Sequence, residues 1–177
     1  MKLHIGCGEK HLPGYVHVDI IEREHIDYVS NAKDLSFLEE GSVSEIYACH
    51  VLEHFKRHEI SGVLKEWARV LQVEGVLRLA VPSFEAVVAE YLSSKNLDLL
   101  IGLLYGGQNY DYNYHYQTYD FKRMRLLLET AGFTRIATYD WRDFLPVGYD
   151  DYSKAYIPHM DFDNGRLMSL NIITVKG

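Results

Sequence analysis

Apolar and polar positions along the chain alternate between short strand-like runs and longer helical stripes. Leu3-His4-Ile5 is a brief apolar run that ends at Gly6-Cys7-Gly8. Tyr15-Val16-His17-Val18-Asp19-Ile20 alternates with period two, which predicts a second strand. Residues 26–29 predict a short third strand, and Ser44-Glu45-Ile46-Tyr47-Ala48-Cys49 a fourth. The period then changes. Ile60, Val63, Leu64, Trp67, Ala68 and Leu71 recur at three- and four-residue spacing, one apolar stripe of a helix. Gly75 is expected to break that helix. Val76-Leu77-Arg78-Leu79-Ala80-Val81, closed by Pro82, suits a strand buried on both faces. Residues 84–92 and 96–104 predict helices. Phe121, Met124, Leu127, Leu128 and Ala131 form a further helical stripe with Gly132 placed as its C-terminal cap. Two strands, 133–139 and 170–175, end the pattern. The order β-β-β-β-α-β-α-β-β points to an α/β domain with a mainly parallel sheet covered by helices.

The 177 residues suit a single domain, 1–177, without repeat or linker. The formal net charge of -7 argues against a nucleic-acid partner, which would need clustered Lys and Arg. No apolar run approaches the 20 residues of a membrane span. The opening residues run straight into a strand without the apolar stretch of a signal peptide, so a cytoplasmic location is expected. Cys7 and Cys49 are too few for a disulfide framework and are expected to be free thiols. Tyrosine is abundant, with 14 in the chain, and the segment from Tyr105 to Tyr119 is rich in it.

Gly6-Cys7-Gly8 follows an apolar strand, where glycine lets backbone approach a ligand closely. Asp19, followed by Ile20, ends the second strand, where a carboxylate can accept hydrogen bonds from ribose hydroxyls. An ordinary turn with Asp19 as a helix cap is the plain alternative. Asp34-Leu35 follows the third strand, a polar–apolar pair suited to an adenine edge and face.

Leu3-His4-Ile5-Gly6-Cys7-Gly8, Val51-Leu52-Glu53-His54, Arg69-Val70-Leu71 through Gly75, and Leu126-Leu127-Leu128-Glu129-Thr130-Ala131-Gly132-Phe133 occur in that order. This ordered set resembles class I S-adenosylmethionine-dependent methyltransferases, most closely the type 11 methyltransferase domain. The resemblance implies a Rossmann-like, mainly parallel seven-stranded sheet with helices on both faces. About a dozen residues separate the first two strands, so their crossover is shortened. It also implies that S-adenosyl-L-methionine meets Gly6, Cys7, Gly8, Asp19, Ile20, Asp34, Leu35 and His50. The implied strand order brings Cys7 and Cys49 near each other.

Methyl transfer to a hydroxyl needs in-line positioning, exclusion of water and removal of a proton. Histidine suits the last task. His115 and His54 are the candidate bases, and loops carrying His50 and His159 are expected beside them around the acceptor. Aromatic faces beside Asn, Asp and Gln in 105–119 suit sugar rings, which favours a small-molecule or glycan-like acceptor. The same tyrosines also suit a homodimer contact. Two rival readings remain. One is a protein of the same fold that acts as a non-enzymatic interaction partner. The other takes His50-x-x-Glu53-His54 as the H-x-x-E-H pattern of a zinc hydrolase.

Overall fold

The computed structural model describes all residues from Met1 to Gly177. Its central sheet has seven strands, taken here in chain order. They are β1 (Lys2–Ile5), β2 (Val16–Asp19), β3 (Tyr28–Val29), β4 (Val43–Cys49), β5 (Leu71–Pro82), β6 (Phe133–Thr138) and β9 (Ser169–Lys176). The spatial order is β3-β2-β1-β4-β5-β9-β6. β1 through β5 pair in parallel, and β9 runs antiparallel between β5 and β6. The order reverses beside β1, so the C-terminal ends of β1 and β4 open a crevice where ligands bind in such sheets. A small hairpin, β7 (Tyr156–Ile157) with β8 (Arg166–Leu167), stands apart from the sheet.

The pleat divides the sheet into two chemically different faces. Leu3, Ile5, Val18, Ile46, Ala48, Leu77, Leu79, Val81 and Ile172 point to one side and form a single aliphatic core. Helices α1 (Ile60–Val70) and α4 (Phe121–Thr130) cover it, with Trp67, Met124 and Leu128 fully buried. The stripe read from the sequence is the buried face of α1, but the helix stops at Val70. Leu71 already pairs with Val43, so strand follows helix without a loop. The expected break at Gly75 lies inside β5, where Glu74 takes a left-handed conformation (φ 64°).

The opposite face carries His4, His17, Tyr47 and Cys49. It is covered by chain segments with 3-10 turns, Trp141–Asp143 and Tyr152–Lys154, rather than by α-helices. Arg78 stacks on Phe144 at 4.7 Å and pairs with Glu45. The Tyr47 hydroxyl donates to Asp151 at 2.6 Å, and Asn171 Nδ2 donates to the Ser153 carbonyl at 2.8 Å. No helix lies in the crossovers β1–β2, β2–β3 or β3–β4, so the shortening extends beyond the first connection.

After β5, α2 (Phe84–Ser94) is capped by the Ser83 hydroxyl, and α3 (Ile101–Tyr105) follows. The helix expected over 96–104 therefore starts late. Lys95 ends α2 in a left-handed conformation, and the Asn96 side chain accepts from the Asp98 N–H, a local bond that competes with helix. Phe84, Val88, Tyr91 and Leu92 lie exposed along α2. No helix is long and apolar enough to cross a membrane.

Candidate functional site

A cavity of about 350 Å³ lies at the C-terminal ends of β1, β2 and β4. Gly6 and Gly8 form its first wall, both in the left-handed region (φ 62° and 58°). Gly6 is required there twice over. Besides its conformation, a Cβ at this position would stand 2.4 Å from Val51 Cγ2. The turn is tied to β2, since the Gly6 N–H donates to the Val18 carbonyl at 2.7 Å.

Asp19 ends β2 beside this turn. One carboxylate oxygen accepts from the Gly8 N–H at 2.8 Å and the other from the Ile21 N–H at 2.9 Å. The oxygen bonded to Ile21 also accepts from Arg23 Nη1 at 3.5 Å, whereas the one bonded to Gly8 keeps a further lone pair that can accept from a ligand hydroxyl. Asp19, Ile20, Ile21 and Arg23 all line the cavity.

The next wall is the segment Ser30–Lys33, held from beneath by α1. Trp67 Nε1 donates to the Ala32 carbonyl at 2.8 Å. Arg69 donates to the carbonyls of Leu38 and Leu35 at 3.0 Å and forks onto Glu66 at 2.8 Å. These bonds do locally what the missing crossover helices would otherwise do. Of the pair read from the sequence as an adenine contact, Leu35 is fully buried in the core and Asp34 is exposed; the cavity is lined on this side by Ser30–Lys33.

The far wall comes from the turn after β4. His50 is left-handed (φ 53°), a conformation uncommon for a residue with a side chain and often found at functional sites. His50 and His54 line the cavity together with Tyr110, Tyr112 and Tyr116. The tyrosine-rich loop is strapped to this turn by backbone. The Tyr116 N–H donates to the Glu53 carbonyl at 2.8 Å, and the His54 ring nitrogen Nδ1 donates to the Tyr114 carbonyl at 3.1 Å. His115 stands behind the wall, where its Nδ1 donates to the Leu103 carbonyl at 2.9 Å.

Between these histidines lies Glu53, fully buried, with no hydrogen-bond partner on either carboxyl oxygen. His50 Nδ1 is 3.3 Å and His115 Nε2 4.0 Å from Glu53 Oε1. Burial pushes the Glu53 carboxyl up to about 8 and His50 down to about 3, so these neighbours are held neutral rather than as an ion pair. Burial also lowers His54, to about 4, and His115. Neutral imidazoles with their lone pairs available are therefore the resting state.

Of the residues read from sequence, Gly6, Gly8, Asp19, Ile20, His50 and His54 meet in one cavity. Cys7 is buried next to it, and burial pushes its thiol up to about 12. Cys7 and Cys49 are both free thiols, and the pairing of Ile5 with Ala48 brings them to the same end of the neighbouring strands β1 and β4. His159 is exposed in the β7–β8 turn and does not reach the cavity. Glu53 stood in the sequence within Val51-Leu52-Glu53-His54 and as the glutamate of H-x-x-E-H, and Arg23 and Lys33 carried no signal.

A family model of the type 11 methyltransferase domain matches residues 16–79. The solved structure of a SAM-dependent methyltransferase from Methanosarcina mazei superposes with a TM-score of 0.61. It is 17% identical, with 99% of this chain and 91% of that chain covered. A SAM-dependent methyltransferase from Archaeoglobus fulgidus gives 0.59 at 15% identity, covering 99% and 85%. Human N-acetylserotonin methyltransferase in complex with SAM gives 0.53 at 13% identity, covering 93% of this chain and 41% of that one. This is a class I methyltransferase fold. No curated protein matches the sequence. The matched stretch, residues 16–79, is similar to a methyltransferase domain, a class whose cofactor is S-adenosylmethionine. The cavity at the switch point suits that cofactor. Gly8 has open space where a side chain would project, and a carboxylate stands at the tip of β2.

Proposed function

We propose that this methyltransferase acts on a hydroxyl group of a small-molecule or glycan-like acceptor. One observation carries the reading: a single cavity joins Gly6, Gly8 and Asp19 to the histidines and tyrosines that follow β4 and α3. Gly6 and Gly8 would hold the amino-acid end of the cofactor, Asp19 the ribose and Ser30–Lys33 the adenine. Bound there, S-adenosylmethionine supplies a methyl carbon already activated by its sulfonium. Tyr110, Tyr112 and Tyr116 offer aromatic faces beside polar loop groups, the chemistry that stacks against sugar or aromatic rings. His54, on the cavity wall, takes the acceptor proton. Its Nδ1 is committed to the Tyr114 carbonyl, which leaves Nε2 as the proton-accepting nitrogen. His115, set behind the wall, orients this side rather than meeting the acceptor.

Calorimetry with S-adenosylhomocysteine tests the cofactor half. Saturable binding is expected, and Asp19→Ala should weaken it by roughly 10–100-fold, the scale of about 1.4–2.7 kcal/mol for polar partners left unpaired. Unchanged affinity would remove Asp19 from the site. Transfer of labelled methyl to a panel of hydroxyl and amine acceptors tests the other half. Labelling confined to amines would overturn the hydroxyl assignment.

A further inference from the structure

We infer that Glu53, His54 and His115 form a binding site for a divalent transition-metal ion at the wall of the acceptor cavity. The three offer ligand atoms that all lie within 4.8 Å of one another. Two features of their surroundings point to a cation rather than to ordinary packing. First, Glu53 is fully buried, yet neither carboxyl oxygen meets a donor from the protein. Second, the histidine hydrogen bonds fix the rings so that lone pairs surround it. A carbonyl can only accept, so the His115 bond to Leu103 and the His54 bond to Tyr114 place the proton on Nδ1 of each ring. Each Nε2 then carries a lone pair, and that of His115 faces Glu53 at 4.0 Å. His50 adds to the set. The Ser169 hydroxyl is spent on Asn171, so His50 Nε2 donates to Ser169 and its Nδ1 lone pair faces Glu53 at 3.3 Å.

Backbone carbonyls that fix the tautomer and orientation of a ring are the usual support behind metal-binding histidines. One carboxylate and two imidazoles with open positions suit Zn²⁺, Fe²⁺ or Co²⁺ better than Mg²⁺ or Ca²⁺. Donors about 2.0–2.2 Å from a common ion lie roughly 3.3–3.6 Å apart in tetrahedral geometry, so loading draws the cluster together by about 1 Å. Because His54 lines the cavity, an open position would face the acceptor. On the proposed function above, which this role rests on, the His54 lone pair accepts the acceptor proton in the metal-free protein. With the ion loaded that lone pair is a ligand, and the ion would instead hold the acceptor oxygen and ease its ionisation, the proton passing to solvent.

Titration of the metal-free full-length protein with Co²⁺, read by visible absorption, tests the site. The expected result is one equivalent bound, with a d–d spectrum lost in both Glu53→Gln and His115→Ala. Circular dichroism of each variant confirms that it is folded. The His11→Ala variant should keep the spectrum, since it alters the separate histidine cluster formed with His17 and His25. No Co²⁺ spectrum, or one that survives Glu53→Gln, overturns the proposal; the carboxyl then holds a proton instead. S-adenosylhomocysteine calorimetry on the same samples keeps the two readings separable. Cofactor binding without metal would sink the metal site alone, and metal without cofactor would sink the proposed function alone.

Discussion

Replacing His4 by phenylalanine should flatten the acid side of the protein's stability curve. His4 is buried on the second sheet face, 5.6 Å from the His17 ring and 5.2 Å from that of Tyr47, and its Nδ1 has no partner. Burial lowers its pKa to about 3, with His17, His25 and His11 pushing the same way. The unfolded chain takes up this proton near the ordinary value of 6.5, whereas the folded chain does so only near 3. Stability from this residue is therefore complete above about pH 6.5 and is lost as pH falls toward 3. Between pH 7 and pH 5 the loss works out at about 2 kcal/mol. Phenylalanine keeps the aromatic contacts and cannot titrate. Any overpacking cost, about 1–3 kcal/mol, is independent of pH and cancels from the comparison. Urea unfolding followed by tryptophan fluorescence at pH 7, 6 and 5 gives both slopes. His50 and His54 make their own acid losses in both proteins, so only the difference is diagnostic. Equal slopes would show that His4 accepts a proton in the folded state, and the dry second face would be wrong.

Gly6→Ala combines left-handed backbone strain with the collision against Val51, and should cost roughly 2–4 kcal/mol and weaken S-adenosylhomocysteine binding. Chemical denaturation and calorimetry check the two effects, and a variant as stable as the parent would refute the tight turn. Burial raises both thiols, Cys7 to about 12 and Cys49 well above its ordinary value. Iodoacetamide at pH 8 should thus alkylate neither in the folded protein and both in urea. Mass spectrometry reads this directly, and rapid native labelling of Cys7 would place it on the surface.

The parallel sheet was legible because each element announces itself locally. Val16–Asp19 alternates, Leu77–Val81 is apolar except for Arg78, and the stripe from Ile60 to Ala68 has one buried face. That the glycine turn and Asp19 meet at one cavity was legible for the same reason, since both sit at strand ends. What was hidden depends on distant partners. Leu35 looks like a ligand contact until Glu66 and Arg69, a helix away, draw its backbone into the core. The second face is closed by pairs such as Tyr47 with Asp151, 104 residues apart, which no periodicity records. α3 begins late because of side-chain to backbone bonds around Asn96 that compete with the helical stripe. Glu53 gave away its place in a motif but not its isolation, which arises only when the loop after α3 folds over it.

The segment that seals the aromatic side of the sheet also reaches the active end, where Tyr152 stacks on His50 at 5.3 Å. It is irregular chain, so insertions and substitutions within it disturb neither of the packed helices nor the aliphatic interior. Descendants of this molecule could thus change what they recognise by remodelling one stretch of coil, while the residues proposed to grip the nucleoside stay intact.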